Sequence, residues 1–213
     1  MTFSDDLRAD SARTFDAAGA HRLVDAIWAG RTDAGALGPH LAQQVLVLDA
    51  FVGLLGATVT AADRPAPRLE HARRTGLVAG PVHNHLVRGL DVLDVALPER
   101  TDPEPRPPTR ELRELLSATA HGRDYPDCVS ALLAVEWLHL DCATRPHAEP
   151  PTEPLQREWI ELRRGPSVEA WVAFLRLEVE RVGAVDDGRR RRTRELFART
   201  AALELDLLDS AYA

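Results

Sequence analysis

An all-α fold is what this sequence predicts, and three observations predict it. Apolar residues recur at helical spacing along nearly the whole chain. Strand chemistry is almost absent: isoleucine occurs only at positions 27 and 160, aromatics are 5% of the residues, and alternating apolar–polar runs are lacking. Prolines and glycines fall between the periodic stretches, where helices must end. At 213 residues and 45% hydrophobic, the chain is long enough to bury a full core. No Pro/Gly/Ser linker divides it, so one domain over 1–213 is expected.

The periodicity predicts helices over 4–18 and 21–29, then over 38–62, which ends before Pro65 and Pro67. A helix over 68–96 contains Pro81, which should kink it or split it. Gly76, Ala79 and Gly80 share one face of that helix, where a neighbouring backbone could cross closely. The segment Pro98 to Pro108 reads as a stiff connection. Helices follow over 109–121, with Thr109 as the start and Gly122 as the stop, and over 126–143. The segment Pro146 to Pro154 separates these from 153–164, and Gly165-Pro166 ends that helix. The last two helices are 167–184, with Ser167 as its start, and 188–211.

Composition removes several functions. All 26 basic residues are arginine, which excludes lysine Schiff-base chemistry and a P-loop. A net charge of −7 argues against a nucleic-acid partner, whose phosphates demand a basic face. No run of 18 apolar residues suggests a membrane span, and the first residues lack the features of a signal peptide. Cys128 and Cys142 lie on one expected helix, roughly 21 Å of rise apart, and cannot bridge within the chain. A cytoplasmic, reduced protein without a membrane partner is the expectation.

Two glutamates sit where glutamates are expensive. Glu136 interrupts Ala131-Leu-Leu-Ala-Val-Glu-Trp-Leu-His-Leu140, with Leu132, Leu133, His139 and Leu140 on its own face. Glu204 lies likewise among Phe197, Ala201, Leu207 and Leu208. A buried charge must be paired, protonated or used. Gln44, on a stripe with His40, Leu41, Val47, Leu48 and Phe51, adds an amide that donates and accepts at once. Gln44, Glu136 and Glu204 are therefore expected to meet in one cavity, with the two carboxylates as general acid and base. Alternatively, each glutamate is satisfied by an Arg or Tyr from another helix.

His83 is read as inward, facing Gly76, Gly80, Leu86 and Leu90, with His85 about 200° around the helix from it. Glu136-x-x-His139 has the spacing of iron-binding bundles, but no second such motif accompanies it, so no metal is expected. Cys128 reads as a buried structural thiol, and Arg189 to Arg192 as a solvated helix face.

The order and spacing of these features resemble the TenA family of thiaminase II and aminopyrimidine-hydrolase proteins, over about residues 3 to 212. The segments that carry the resemblance are Ser130 to Asp141, Trp159-Ile160 and Ala202 to Tyr212, with His21, Leu23 and Gln43 nearer the N-terminus. The resemblance implies a haem-oxygenase-like helical bundle, a heterocyclic small-molecule ligand, no cofactor, and a homodimer or homotetramer. Glu204 matches the catalytic glutamate. Ala134-Val135-Glu136 looks like the branch that carries a glutamate in place of the active-site cysteine, whose position is Val135 here. Gln44 replaces the aspartate that grips the aminopyrimidine, and Val47, Leu112, His139 and Arg163 fall where pocket tyrosines stand. The implied catalytic residues are Glu136 and Glu204; the implied binding residues are Gln44, His83, His139, Val47 and Phe51. The lost charge and lost aromatic stacking imply an altered ligand or no turnover, and negligible thiamine hydrolysis. A metal-dependent oxidase on the same scaffold is a further alternative, suggested by Glu136, His139 and His83.

Overall fold

The computed structural model describes residues 2–145 and 148–212, and every regular element among them is helical. The expected stretch 4–18 is two helices, α1 (Phe3–Asp10) and α2 (Ala12–Gly19), which meet at Ser11. Thr2 opens α1 with a reciprocal capping box to Asp5, which satisfies two otherwise orphaned N–H groups. α3 (Arg22–Trp28) and α4 (Ala34–Ala61) follow.

The stretch expected over 68–96 is α5 (Pro65–Leu77), a π-turn (Val78–Val82) and α6 (His83–Val92). Pro81 lies inside the π-turn, where the widened backbone tolerates its missing N–H. A short helix, α7 (Leu97–Thr101), occupies part of the segment read as a connection. α8 (Pro107–Gly122) and α11 (Pro166–Glu178) both start at prolines rather than at Thr109 and Ser167. Proline suits the first helical position because the N–H it lacks would be unpaired there. Between them lie α9 (Tyr125–Cys142) and α10 (Pro154–Glu161). Pro146, expected in the loop before α10, is outside the described residues. After a second π-turn (Val179–Gly183), α12 (Asp187–Asp209) closes the chain with a 3-10 turn (Ser210–Tyr212).

α9 is buried on nearly every face, which explains why its sequence is apolar all round. It packs against α2, α4, α8, α11 and α12. α4 is long and apolar enough to cross a membrane by length and composition alone. Its apolar faces are occupied by α5, α6, α8 and α9. One hydrophobic cluster runs from Phe3 to Ala211 and includes residues of both helices. Cys128 and Cys142 are buried in it as free thiols, pushed up to about 11 and about 12 by burial.

The inward face of α5–α6 is not the expected one. Gly76 and Gly80 have open space where a Cβ would project, and Ala79 is exposed. Leu86 and Leu90 are buried as expected, but the residues that point inward with them are His71, Arg74, Val78 and His85, not His83. The close crossing occurs at Gly89, where a Cβ would come 2.5 Å from Leu41 of α4. Polar residues occupy the inward face because each finds a partner elsewhere in the fold, which removes the cost of burying them. His71 contacts the Tyr125 hydroxyl at 3.0 Å, and His85 Nδ1 meets Glu158 at 3.0 Å. The arginine run opening α12 is also more than a solvated face: Arg189 and Arg192 bind Asp124 and Asp127 at the start of α9.

Candidate functional site

Between α4, α5, α9 and α12 lies a cavity with about 600 Å³ of space unfilled by protein atoms, part of it open to solvent. α4 contributes Gln44, Val47 and Phe51; α9 contributes Glu136 and His139; α12 contributes Glu204. Helical spacing puts each on an inward face, and tertiary packing brings the three faces together. His83 does not take part: it is exposed on the outer side of α6, for the reason given above. Leu112, at an implied tyrosine position, is fully buried away from this wall. No tyrosine lines the cavity, and the Tyr125 hydroxyl is instead spent on Glu178 at 2.8 Å.

The two glutamates have different partners. Glu136 is gripped by Arg74 of α5, with Nε donating to Oε1 at 2.9 Å and Nη2 to Oε2 at 2.5 Å. Both side chains are nearly inaccessible, at 9% and 5% exposure. This is the planar two-bond geometry in which guanidinium and carboxylate fit best. The second expectation for the glutamates therefore describes Glu136: an arginine from another helix satisfies it. Glu204 instead faces His139, whose Nε2 lies 3.2 Å from Oε2. That contact spans α9 and α12 and holds the carboxylate in the cavity wall.

Arg163, just after α10, lines the same cavity. Its guanidinium packs over the Trp159 ring at 4.4 Å, and Nη1 donates to the Trp159 carbonyl at 3.1 Å. Nη2 makes a long contact of 3.5 Å to Gln44 Oε1, and Nε has no partner among the described residues. Burial pushes the guanidinium down to about 10, against the opposing pull of Glu204 and Glu136. His40 of α4 is fully buried with neither ring nitrogen bonded among the described residues, and burial lowers it to about 3.

Arg74 and Arg163 are the charged cavity-lining side chains that sequence reasoning missed. Both had a trace there. A buried Glu136 required a cation, and His71, Arg74 and Val78 fall at helical spacing on one face. Arg163 was noted only as a departure from a tyrosine.

The arrangement offers a carboxylate positioned by a histidine, a neutralised ion pair, an amide and a further cation, all around a largely apolar cavity. Such a wall can orient a flat polar molecule and move a proton at one edge of it.

Solved structures with this helical architecture are numerous. A TenA homologue from P. horikoshii superposes with a TM-score of 0.84 at 20% identity, covering 100% of this chain and 99% of that one. A TenA family transcription regulator from Silicibacter sp. gives 0.84 at 17% identity, with 98% and 96% covered. A Sulfolobus solfataricus protein, provisionally described as a TenA-like thiaminase, gives 0.75 at 10% identity, with 98% and 94% covered. At these identities the likeness establishes a shared fold. No curated protein matches the sequence. The sequence profile of the TENA/THI-4/PQQC family matches residues 10–213, and the chain belongs to that family.

Proposed function

We propose that the cavity binds a small amino-substituted heterocycle of aminopyrimidine type and that Glu204 drives hydrolysis of a C–N bond in it. The observation that carries this reading is the position of Glu204: buried at 3% exposure, in the cavity wall, held by His139 and free of any arginine among the described residues. In the reaction a water adds to the ring carbon that bears the nitrogen. Glu204 takes the water's proton as the C–O bond forms, then returns a proton to the nitrogen as the C–N bond breaks. The amine leaves neutral, and the carboxylate is regenerated. Glu136, fixed by Arg74, is a stationary acceptor for the amino group. Family membership and the thiaminase description of the S. solfataricus relative support chemistry of this thiamine-salvage kind.

Replacing Glu204 by Gln keeps the shape and removes the proton transfer. We expect ammonia release from an aminopyrimidine to fall by about 10²–10⁴-fold with little change in binding. An unchanged rate in the variant would remove Glu204 from the mechanism. Thiamine itself should be turned over negligibly, because no tyrosine lines the cavity to stack on it.

A second reading is that the cavity binds its ligand without turnover. The Arg74–Glu136 pair favours it, since a carboxylate held by two hydrogen bonds is poorly placed to exchange protons. Ligand binding by calorimetry, with no ammonia released by the unaltered protein, would select this reading.

The chain is further proposed to act as a single domain in the cytoplasm and to assemble as a homodimer or homotetramer. Light scattering at micromolar concentration should give a mass well above the 23.4 kDa of one chain. A monomeric mass would overturn the assembly.

A further inference from the structure

Arginine carries five N–H donors, and two of them, Nε–H and one Nη2–H, lie side by side on one edge of the guanidinium. In this cavity the same edge occurs twice. On Arg74 it is filled by a carboxylate, with one glutamate oxygen on Nε and the other on Nη2. On Arg163 it is not. Nε is unpartnered among the described residues, and Nη2 has only the 3.5 Å approach of an amide oxygen, at the outer limit of a hydrogen bond.

Arg163 is also a cation without a counter-ion. It is 7% exposed, yet among the described residues no carboxylate oxygen lies within salt-bridge distance of it. A buried charge left in this state is costly. The protein holds it in place all the same, by the Trp159 ring beneath it and the Trp159 carbonyl on its far side. Those contacts use Nη1 and the ring face, and leave the two-donor edge for something else. Gln44 Oε1 is the one acceptor near that edge among the described residues, and both Gln44 and Arg163 line the cavity. An amide at that distance gives way to a charged acceptor, because charge-assisted hydrogen bonds are roughly twice as strong as neutral ones.

We propose that Arg163 is the anchor of an anion subsite, and that the cavity's ligand is a heterocycle bearing a carboxylate, which displaces Gln44 from the Nε/Nη2 edge. This names the substrate class for the reading above and rests on that reading only for the heterocyclic ring. The carboxylate supplies the missing counter-charge. The same charge makes the cavity unfavourable to cationic ligands, since Arg163 would then face a second positive group. Phosphate esters would meet the same guanidinium, but a planar carboxylate matches the flat two-donor edge, as Glu136 does on Arg74.

The test compares two probes of nearly equal size, 4-aminopyrimidine-5-carboxylate and 4-aminopyrimidine-5-carboxamide, by calorimetry at pH 7. The unaltered protein should bind the carboxylate at least about tenfold more tightly. Arg163→Met should abolish that preference, and Arg163→Lys should restore only part of it, because an ammonium lacks the paired edge. Equal affinity of the two probes for the unaltered protein overturns the proposal without any variant having to fold. So does failure of both probes to bind at millimolar concentration, or a preference that survives in a folded Arg163→Met protein. Ammonia release, measured on the same samples, reports separately on hydrolysis. A carboxylate preference without ammonia release leaves the anion subsite standing and removes the hydrolase reading.

Discussion

Replacing Arg74 by leucine should destabilise the protein by about 3–5 kcal/mol, because it strands the Glu136 carboxylate in an apolar interior without its partner. Arg74 and Glu136 lie 62 residues apart and join α5 to α9, so the pair also fixes one side of the cavity. The double variant Arg74→Leu with Glu136→Leu should recover most of the loss. Once both charges are gone, no desolvated group remains unpaired, and two buried ions replaced by apolar side chains are commonly neutral in stability. Urea unfolding of the two variants at pH 7 provides the comparison. A loss below about 1 kcal/mol in the single variant would mean that the pair behaves as a solvated one. A double variant as unstable as the single would mean that Arg74 acts through packing against Trp171 rather than through charge.

Mild acid should unfold this protein readily. His40, His71 and His85 are fully buried, and burial lowers them to about 3, about 4 and about 4. The three are therefore neutral in the folded protein, whereas in the unfolded chain each takes up a proton below about pH 6.5. The unfolded state binds more protons between that value and the folded one, so stability is present at pH 7 and is lost as pH falls through this window. Each histidine costs about 1.4 kcal/mol per pH unit within it, or about 2 kcal/mol between pH 6.5 and pH 5. Three such groups rival the total stability of a typical domain, roughly 5–15 kcal/mol. Unfolding free energies at pH 7 and pH 5 should differ by several kcal/mol, and His40→Leu should shrink the difference by about one histidine's share. A protein equally stable at both values would show that these rings take up protons in the folded state as readily as in the unfolded chain.

Much of the cavity's lining was legible in the chain alone. Glu136 and Glu204 break apolar stripes at positions the 3.6-residue period turns inward, and Gln44, Val47 and Phe51 share one face by the same rule. These are local facts: burial of an apolar stripe orients every side chain on it, whatever the stripe packs against. His83 failed because the helix that carries it has two plausible inward faces. One bears glycine and alanine, the other His71, Arg74 and His85. Composition favours burying the first. The fold buries the second, because Glu136, Tyr125 and Glu158 wait there to satisfy it.

By itself, then, the sequence determined the helical class, nearly all the helices, and the inward direction of the residues around the cavity. Each of those depends on periodicity and on breakers within a few residues. Only the tertiary structure decided what each buried charge does: that Arg74 neutralises Glu136, that His139 holds Glu204, and that Arg163 keeps one edge unfilled. Pairing of charges is a matter of distance in space between segments far apart in the chain. No local pattern records which cation will stand a few ångströms from which carboxylate.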